Sequence, residues 1–175
     1  MEKEDVIINK VAESGIITID LEEFYPEQEI IGIDIKQWLF MEMLLKEKPF
    51  RDSLKSHDWS IYKDKYVAVY CSTDAIIPRW AYMLLAVYLS PLASEVFIGT
   101  PKEMAMHLIE AKIAKLDLSP YMDKRIILKG CGSKDVSEAI YFAMTKKLMP
   151  HVKSVMYGEA CSSVPVYKNK ISSVK

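Results

Sequence analysis

Cysteine is the residue type in this chain best suited to chemistry, and its three copies stand in similar places. Cys71 closes the run Tyr66-Val-Ala-Val-Tyr70. Cys131 follows Arg125-Ile-Ile-Leu-Lys-Gly130, and Cys161 follows Ser154-Val-Met-Tyr-Gly158-Glu-Ala160. Each thiol comes just past an apolar, strand-like run. Three thiolates select a soft or borderline metal: zinc bonds sulfur at about 2.3 Å and completes a tetrahedron with a fourth ligand. Iron–sulfur clusters are also held by thiolates. The expected ligand set is Cys71, Cys131 and Cys161 with Asp74 nearby, and His57, His151 or water are further candidates for the fourth position. Two other readings of the same residues stand beside it. Cysteine is among the most buried residue types, so all three can be small core hydrophobes. Thiols near helix N-termini and lysines become nucleophiles. Cys71 precedes a helix expected from Pro78, Cys131 precedes one expected near Asp135, and Lys129 and Lys134 flank Cys131. The stretch Gly130-Cys-Gly132-Ser-Lys134 can cradle an anion on its backbone N–H groups. It lacks the full phosphate-loop pattern, so no nucleotide is expected. No Ser-His-Asp set, paired carboxylates or dinucleotide glycine pattern emerges, and no catalytic residue is assigned.

The elements that must position these thiols are read from periodicity. Strand-like runs at Tyr66–Tyr70, Glu95–Ile98, Arg125–Leu128 and Val152–Tyr157 recur at about the 30-residue length of a βα unit. Between them lie three helical stretches. Pro78–Leu89 is apolar nearly all round, and Thr100-Pro101-Lys-Glu103 opens a helix to Leu116. The third is capped by Asp135 or Ser137 and closed by Pro150. Apolar strands alternating with helices predict an α/β fold with a mainly parallel sheet of about four regular strands flanked by helices. The expected strand order is 2-1-3-4, counting from Tyr66. Ligands of such sheets bind at the strand carboxyl ends. In that order the three cysteine-bearing strands are neighbours, about 4.8 Å apart. The final Ser162–Tyr167 run reads as an edge strand or hairpin return, because Pro165 suits an edge.

Residues 1–62 read as a helical and short-strand appendage packed on the core of residues 66–168, within one α/β domain spanning residues 1–175. Asp5–Glu13 carries a short apolar stripe that Ser14-Gly15 ends. Ile16–Asp20 and Ile30–Ile33 read as strands pairing with each other, and Asp34 reads as an N-cap. Trp38, Leu39, Met41, Leu44 and Leu45 have helical spacing, and Pro49 starts a second helix. Glu22, Glu23 and Glu27 read as a solvent-facing acidic cluster, and His107 as a core-edge residue.

Half of the 175 residues are hydrophobic, about a quarter are charged and the net charge is −1. That balance fits an ordinary globular protein and supplies no field to collect nucleic acid or anionic membrane. No apolar run approaches the roughly 20 residues that span a bilayer, and the acidic N-terminus is unlike a signal peptide. A cytoplasmic location is therefore expected, with the cysteines as thiols or ligands rather than disulfides. The Trp/Tyr/Met-rich helix and the appendage offer a homodimer face.

Ile16-Ile-Thr-Ile-Asp-Leu-Glu-Glu-Phe-Tyr-Pro26, His57-Asp-Trp-Ser60 and Cys71-Ser-Thr-Asp-Ala-Ile-Ile-Pro78 resemble a bacterial family, domain of unknown function 2480. So do Trp80-Ala-Tyr-Met-Leu-Leu85, Lys129-Gly-Cys131 and Met156-Tyr-Gly-Glu-Ala-Cys161-Ser-Ser-Val-Pro165. The resemblance covers nearly the whole chain and is most specific in the cysteine segments. The family brings no assigned activity and no catalytic residues. The association of such genes with iron–sulfur assembly genes implies a zinc or iron–sulfur cofactor and iron–sulfur assembly proteins as partners.

Overall fold

The computed structural model describes residues 15–130 and 132–169, so the stripe expected over Asp5–Glu13 lies outside the described residues. Among the described residues seven strands form: β1 (Ile16–Asp20), β2 (Ile30–Asp34), β3 (Tyr66–Tyr70), β4 (Glu95–Ile98), β5 (Arg125–Lys129), β6 (Ser154–Glu159) and β7 (Ser162–Lys168). Helices α1 (Glu47–Ser56), α2 (Arg79–Leu89), α3 (Pro101–Lys115) and α4 (Glu138–Leu148) lie between them. The α/β class is as expected, but the strands divide between two sheets. One has the order β2-β3-β4 and the other β1-β5-β6-β7. Every ladder is parallel except the β6–β7 hairpin.

The expected order 2-1-3-4 is thus overturned: β3 and β5, predicted neighbours, belong to different sheets. The cause lies in the stretch read as an appendage. Ile16–Asp20 and Ile30–Asp34 do not pair with each other. β1 flanks β5 with Ile16 beside Arg125, and β2 flanks β3 with Ile30 beside Tyr66. The chain accordingly forms two units, one of residues 26–108 and one joining residues 1–25 to 109–175.

In the unit of residues 26–108, Ile33, Phe50, Leu54, Val67, Val69, Ala81, Leu85 and Leu89 form a buried cluster. α1 contributes Phe50 and Leu54, one turn apart, and leaves Arg51 to pair with Glu47 at 2.9 Å on its exposed side. It starts ahead of Pro49, which sits in the first turn where the missing N–H is not needed. The helix expected from Ile35 to about Lys46 does not form. A 3-10 turn spans Ile35–Trp38, Leu39 is extended, and Phe40 bridges Leu44 around Met41 and Glu42, both at positive φ. Asp34 does cap that turn, accepting the Lys36 N–H at 2.9 Å. α2, apolar nearly all round, is buried on one stripe only and leaves Met83 and Val87 exposed.

The two units repeat one design. Asp58 to Ile98 and Asp117 to Tyr157 align without a gap. Asp58 Oδ1 accepts from Ser60 N at 3.0 Å and Ser60 Oγ at 2.6 Å, and Asp117 Oδ1 accepts from Ser119 N and Oγ at 2.9 and 2.6 Å. Asp64 and Asp123 both take positive φ and donate their N–H to Leu92 and His151. Ser94 N bonds Lys65 O at 2.8 Å, as Lys153 N bonds Lys124 O at 2.8 Å. Tyr66 sits beside Glu95 in one sheet and Arg125 beside Ser154 in the other. Ala81, Leu85 and Leu89 of α2 are buried at the positions of Ile140, Met144 and Leu148 of α4. β1 and β2 likewise each end in an aspartate that caps a 3-10 turn. Strand β7 follows the second copy; in the first, α3 follows β4 after Gly99-Thr100.

Candidate functional site

The expected ligands fall at different places in this duplicated design. Cys71 lies at the position of Gly130 in the alignment, and Cys131 at that of Ser72, while Cys161 lies beyond the repeat. The three thiols are therefore not copies of one position. Cys71 is half-buried against the hydrophobic cluster of its own unit, with its Sγ 3.3 Å from Thr73 Oγ1. Asp74 is exposed. His57 is packed among Trp38, Trp59 and Tyr62, with Nε2 3.1 Å from the Tyr62 hydroxyl. His151 is exposed, and its carbonyl takes the Asp123 N–H. Cys161 is exposed in the two-residue turn between the paired Glu159 and Ser162. Gly158 makes that hairpin possible. Its φ is +114°, and a Cβ there would stand 2.7 Å from the Ser162 carbonyl oxygen. Among the described residues no three His, Cys, Asp or Glu side chains gather to hold a metal. Cys131 is not one of those residues.

Polar contacts gather where β1 and β5 end, at Asp20, Glu22, Lys129 and the Gly132–Lys134 loop. Leu128 of β5 is in register with Tyr157 of β6. Cys131 comes three residues after Leu128 and Cys161 four after Tyr157. Lys129, next in β5, pairs with Asp20 at the end of β1, Nζ to Oδ2 3.0 Å. Burial works to raise the Asp20 carboxyl, but the bond from Lys129, the Glu22 N–H and the Lys129 and Lys134 charges together hold it below its ordinary value. The Asp20 hydrogen bond and charge, with Glu159 and Glu23, push Lys129 upward.

Glu22 does more than face solvent. Its carboxylate accepts the N–H of Gly132, that of Ser133 at 3.1 Å and that of Lys134 at 3.3 Å. Ser133 Oγ stands at 3.4 Å, and Lys134 Nζ reaches the Glu22 carbonyl at 3.4 Å. The anion cradle expected of this loop is thus built, and its anion is the chain's own carboxylate. Gly132 lets the carboxylate come close, since a Cβ there would lie 2.5 Å from Glu22 Oε1 and push that side chain aside. Tyr25 adds a second strap: its hydroxyl donates to the Asp135 carbonyl and its ring lies 5.0 Å from Lys134 Nζ. Sequence reasoning missed Glu22 because nothing local distinguishes it from Glu23.

Beside this loop lies a cleft of about 610 Å3 lined by Leu128, Gly130, Tyr141, Phe142, Met156 and Tyr157, among others. The volume is within the range of small-molecule sites. Gly130 keeps the chain clear of α4, because a Cβ there would come 2.8 Å from the Tyr141 hydroxyl.

His107, expected at a core edge, is half-exposed against the Phe97 ring, with Nε2 3.5 Å from Glu95. No described helix is long and apolar enough to cross a membrane.

Fold and site define a duplicated α/β protein whose second copy ends its strands in a strapped, cysteine-bearing loop. The chain belongs to DUF2480, a family described as protein of unknown function, whose model matches residues 5–169. No curated protein and no solved structure matches it.

Proposed function

We propose that this protein binds a soft metal ion or an iron–sulfur cluster through cysteine thiolates at the carboxyl end of the β1-β5-β6-β7 sheet, in the cytoplasm. The observation that carries the reading is the parallel, in-register pairing of β5 with β6, since in the sequence Cys131 comes two residues after the end of β5 and Cys161 two after the end of β6. Adjacent strands lie about 4.8 Å apart, a spacing that two sulfurs on one zinc or one cluster can span. Two thiolates leave coordination positions open, which suits a protein that receives a metal or cluster and passes it on. Iron–sulfur assembly proteins are the partners this reading implies.

Anaerobic purification followed by metal analysis and a visible spectrum tests it. Bound zinc or iron, lost in Cys131→Ser and in Cys161→Ser, supports the site. Loss of the metal in Cys71→Ser would add Cys71 to the ligand set, and loss in Asp74→Asn would add Asp74. Protein without metal, or metal indifferent to Cys131→Ser and Cys161→Ser, refutes the reading.

The cleft beside Gly130 favours a second reading, a thiol-dependent enzyme of sulfur transfer or redox chemistry. It requires one cysteine to alkylate far faster than the others at neutral pH in metal-free protein. Uniform labelling rates argue against it.

A further inference from the structure

The duplication exposes a difference at one sheet edge. In the second copy, the outer side of β6 is covered by the antiparallel strand β7. In the first copy the equivalent strand β4 pairs with β3 and, among the described residues, has no strand on its other side. An edge strand is a row of unpaired N–H and C=O groups, and proteins usually blunt such edges with proline, lysine or a bulge. β7 carries all three devices: Pro165, the terminal Lys168, and an irregular register against Val155 and Met156. β4, reading Glu95-Val-Phe-Ile98, carries none of them.

The side chains repeat the contrast. Phe142 of α4 and Tyr157 of β6 share the cleft with Val166 of β7. Their equivalents in the first copy are Met83 of α2 and Ile98 of β4. Met83 is 69% exposed and Ile98 67% exposed, with no counterpart of Val166 in the alignment.

We infer that the free edge of β4 takes an antiparallel strand, and that the strand is β4 of a second copy of this chain. The second copy of the design shows what kind of element belongs there: an antiparallel strand carrying an apolar side chain towards the crossover helix. β4 meets that description itself. Paired antiparallel about a two-fold axis at Phe97, the strand sets Val96 opposite Ile98 of the other copy and Glu95 opposite Gly99, so like charges do not face each other. The two three-stranded sheets then run on as one, and Met83 and Ile98 are covered in both copies by the same operation. This surface is independent of the thiolate site, which lies on the other unit.

The test uses the full chain. Sedimentation velocity across a wide concentration range, with hydrogen exchange read at residues 95–98, should show a dimer whose β4 amides exchange faster on dilution. Ile98→Lys and Met83→Lys, both at exposed positions, should yield folded monomers by circular dichroism with fast β4 exchange at every concentration. A strict monomer overturns the inference. So does a dimer that survives both substitutions, or one whose β4 amides do not respond to dilution.

Discussion

Replacing Glu22 with alanine should loosen the loop that carries Cys131 while leaving the sheet beneath it intact. The carboxylate accepts the backbone N–H groups of Gly132, Ser133 and Lys134 and lies within reach of the Ser133 hydroxyl. Hydrogen bonds to charged acceptors contribute about 1.5–3 kcal/mol each when buried. Glu22 is half-exposed and the loop is exposed, so water recovers much of that when the side chain is removed. A net loosening of about 2 kcal/mol for the set is the reasonable scale, equivalent to roughly 30-fold faster local exchange. Amide exchange resolved by residue is the assay. Ser133 and Lys134 should accelerate about 30-fold in Glu22→Ala and less in Glu22→Gln, which keeps one acceptor oxygen but loses the charge. Ile126, Ile127 and Leu128, buried in β5, should not change. Unchanged loop exchange refutes the strap, and equal acceleration of β5 shows a global effect instead.

Further perturbations test other parts of the account. Gly158→Ala forces a side chain into φ +114° and against the Ser162 carbonyl, so it should destabilise the chain by about 2 kcal/mol or more in denaturant melts. Little change would mean the hairpin can shift at no cost. The Asp20–Lys129 pair sets a pH window. A carboxyl held low adds stability above its ordinary value near 3.8, and that stability is lost as pH falls through the lower folded value. A lysine pushed up adds stability below its ordinary 10.5, lost as pH rises beyond it. The stability gap between wild type and Asp20→Asn should therefore be flat from about pH 5 to 9 and close in acid; a gap that widens in acid contradicts the pairing. Asp58→Ala and Asp117→Ala remove the same two hydrogen bonds from the two copies of one turn. Both should lower Tm, whereas an effect in only one would show that the repeat is geometric and not energetic.

Local structure was the legible part of this sequence. The apolar runs at Tyr66–Tyr70 and Arg125–Lys129 and the helix ending at Leu89 announce themselves through periodicity and turn residues. The Thr100–Glu103 capping box, bonded both ways at 2.7 and 3.3 Å, is a short-range pattern that can be read directly. Strand order is a long-range choice. Ile16–Asp20 and Ile30–Asp34 are two similar strands close in the chain, and nothing within them says that each joins a different sheet. The spacing of Trp38, Leu39, Met41 and Leu44 imitates a helix, but the Asp34-capped turn ends at an extended Leu39 and the chain doubles back at Met41 and Glu42. The duplication left one readable trace, Asp58-x-Ser60-x-Tyr62-x-Asp64-Lys65 against Asp117-x-Ser119-x-Tyr121-x-Asp123-Lys124. Elsewhere only scattered positions such as Leu89 and Leu148, or Pro91 and Pro150, are shared, because packing preserves size and polarity more than identity. Of the candidate site, the cysteine positions and the anion cradle were visible. The anion was not, since Glu22 is far from Gly132 in the chain.

The thiolate site can be tested at its ligands. X-ray absorption at the metal edge of anaerobically purified protein should show a sulfur shell at about 2.3 Å, reduced in Cys131→Ser and in Cys161→Ser. A first shell of oxygen and nitrogen alone, at about 2.0–2.2 Å, or a sulfur shell unchanged in both variants, would contradict it.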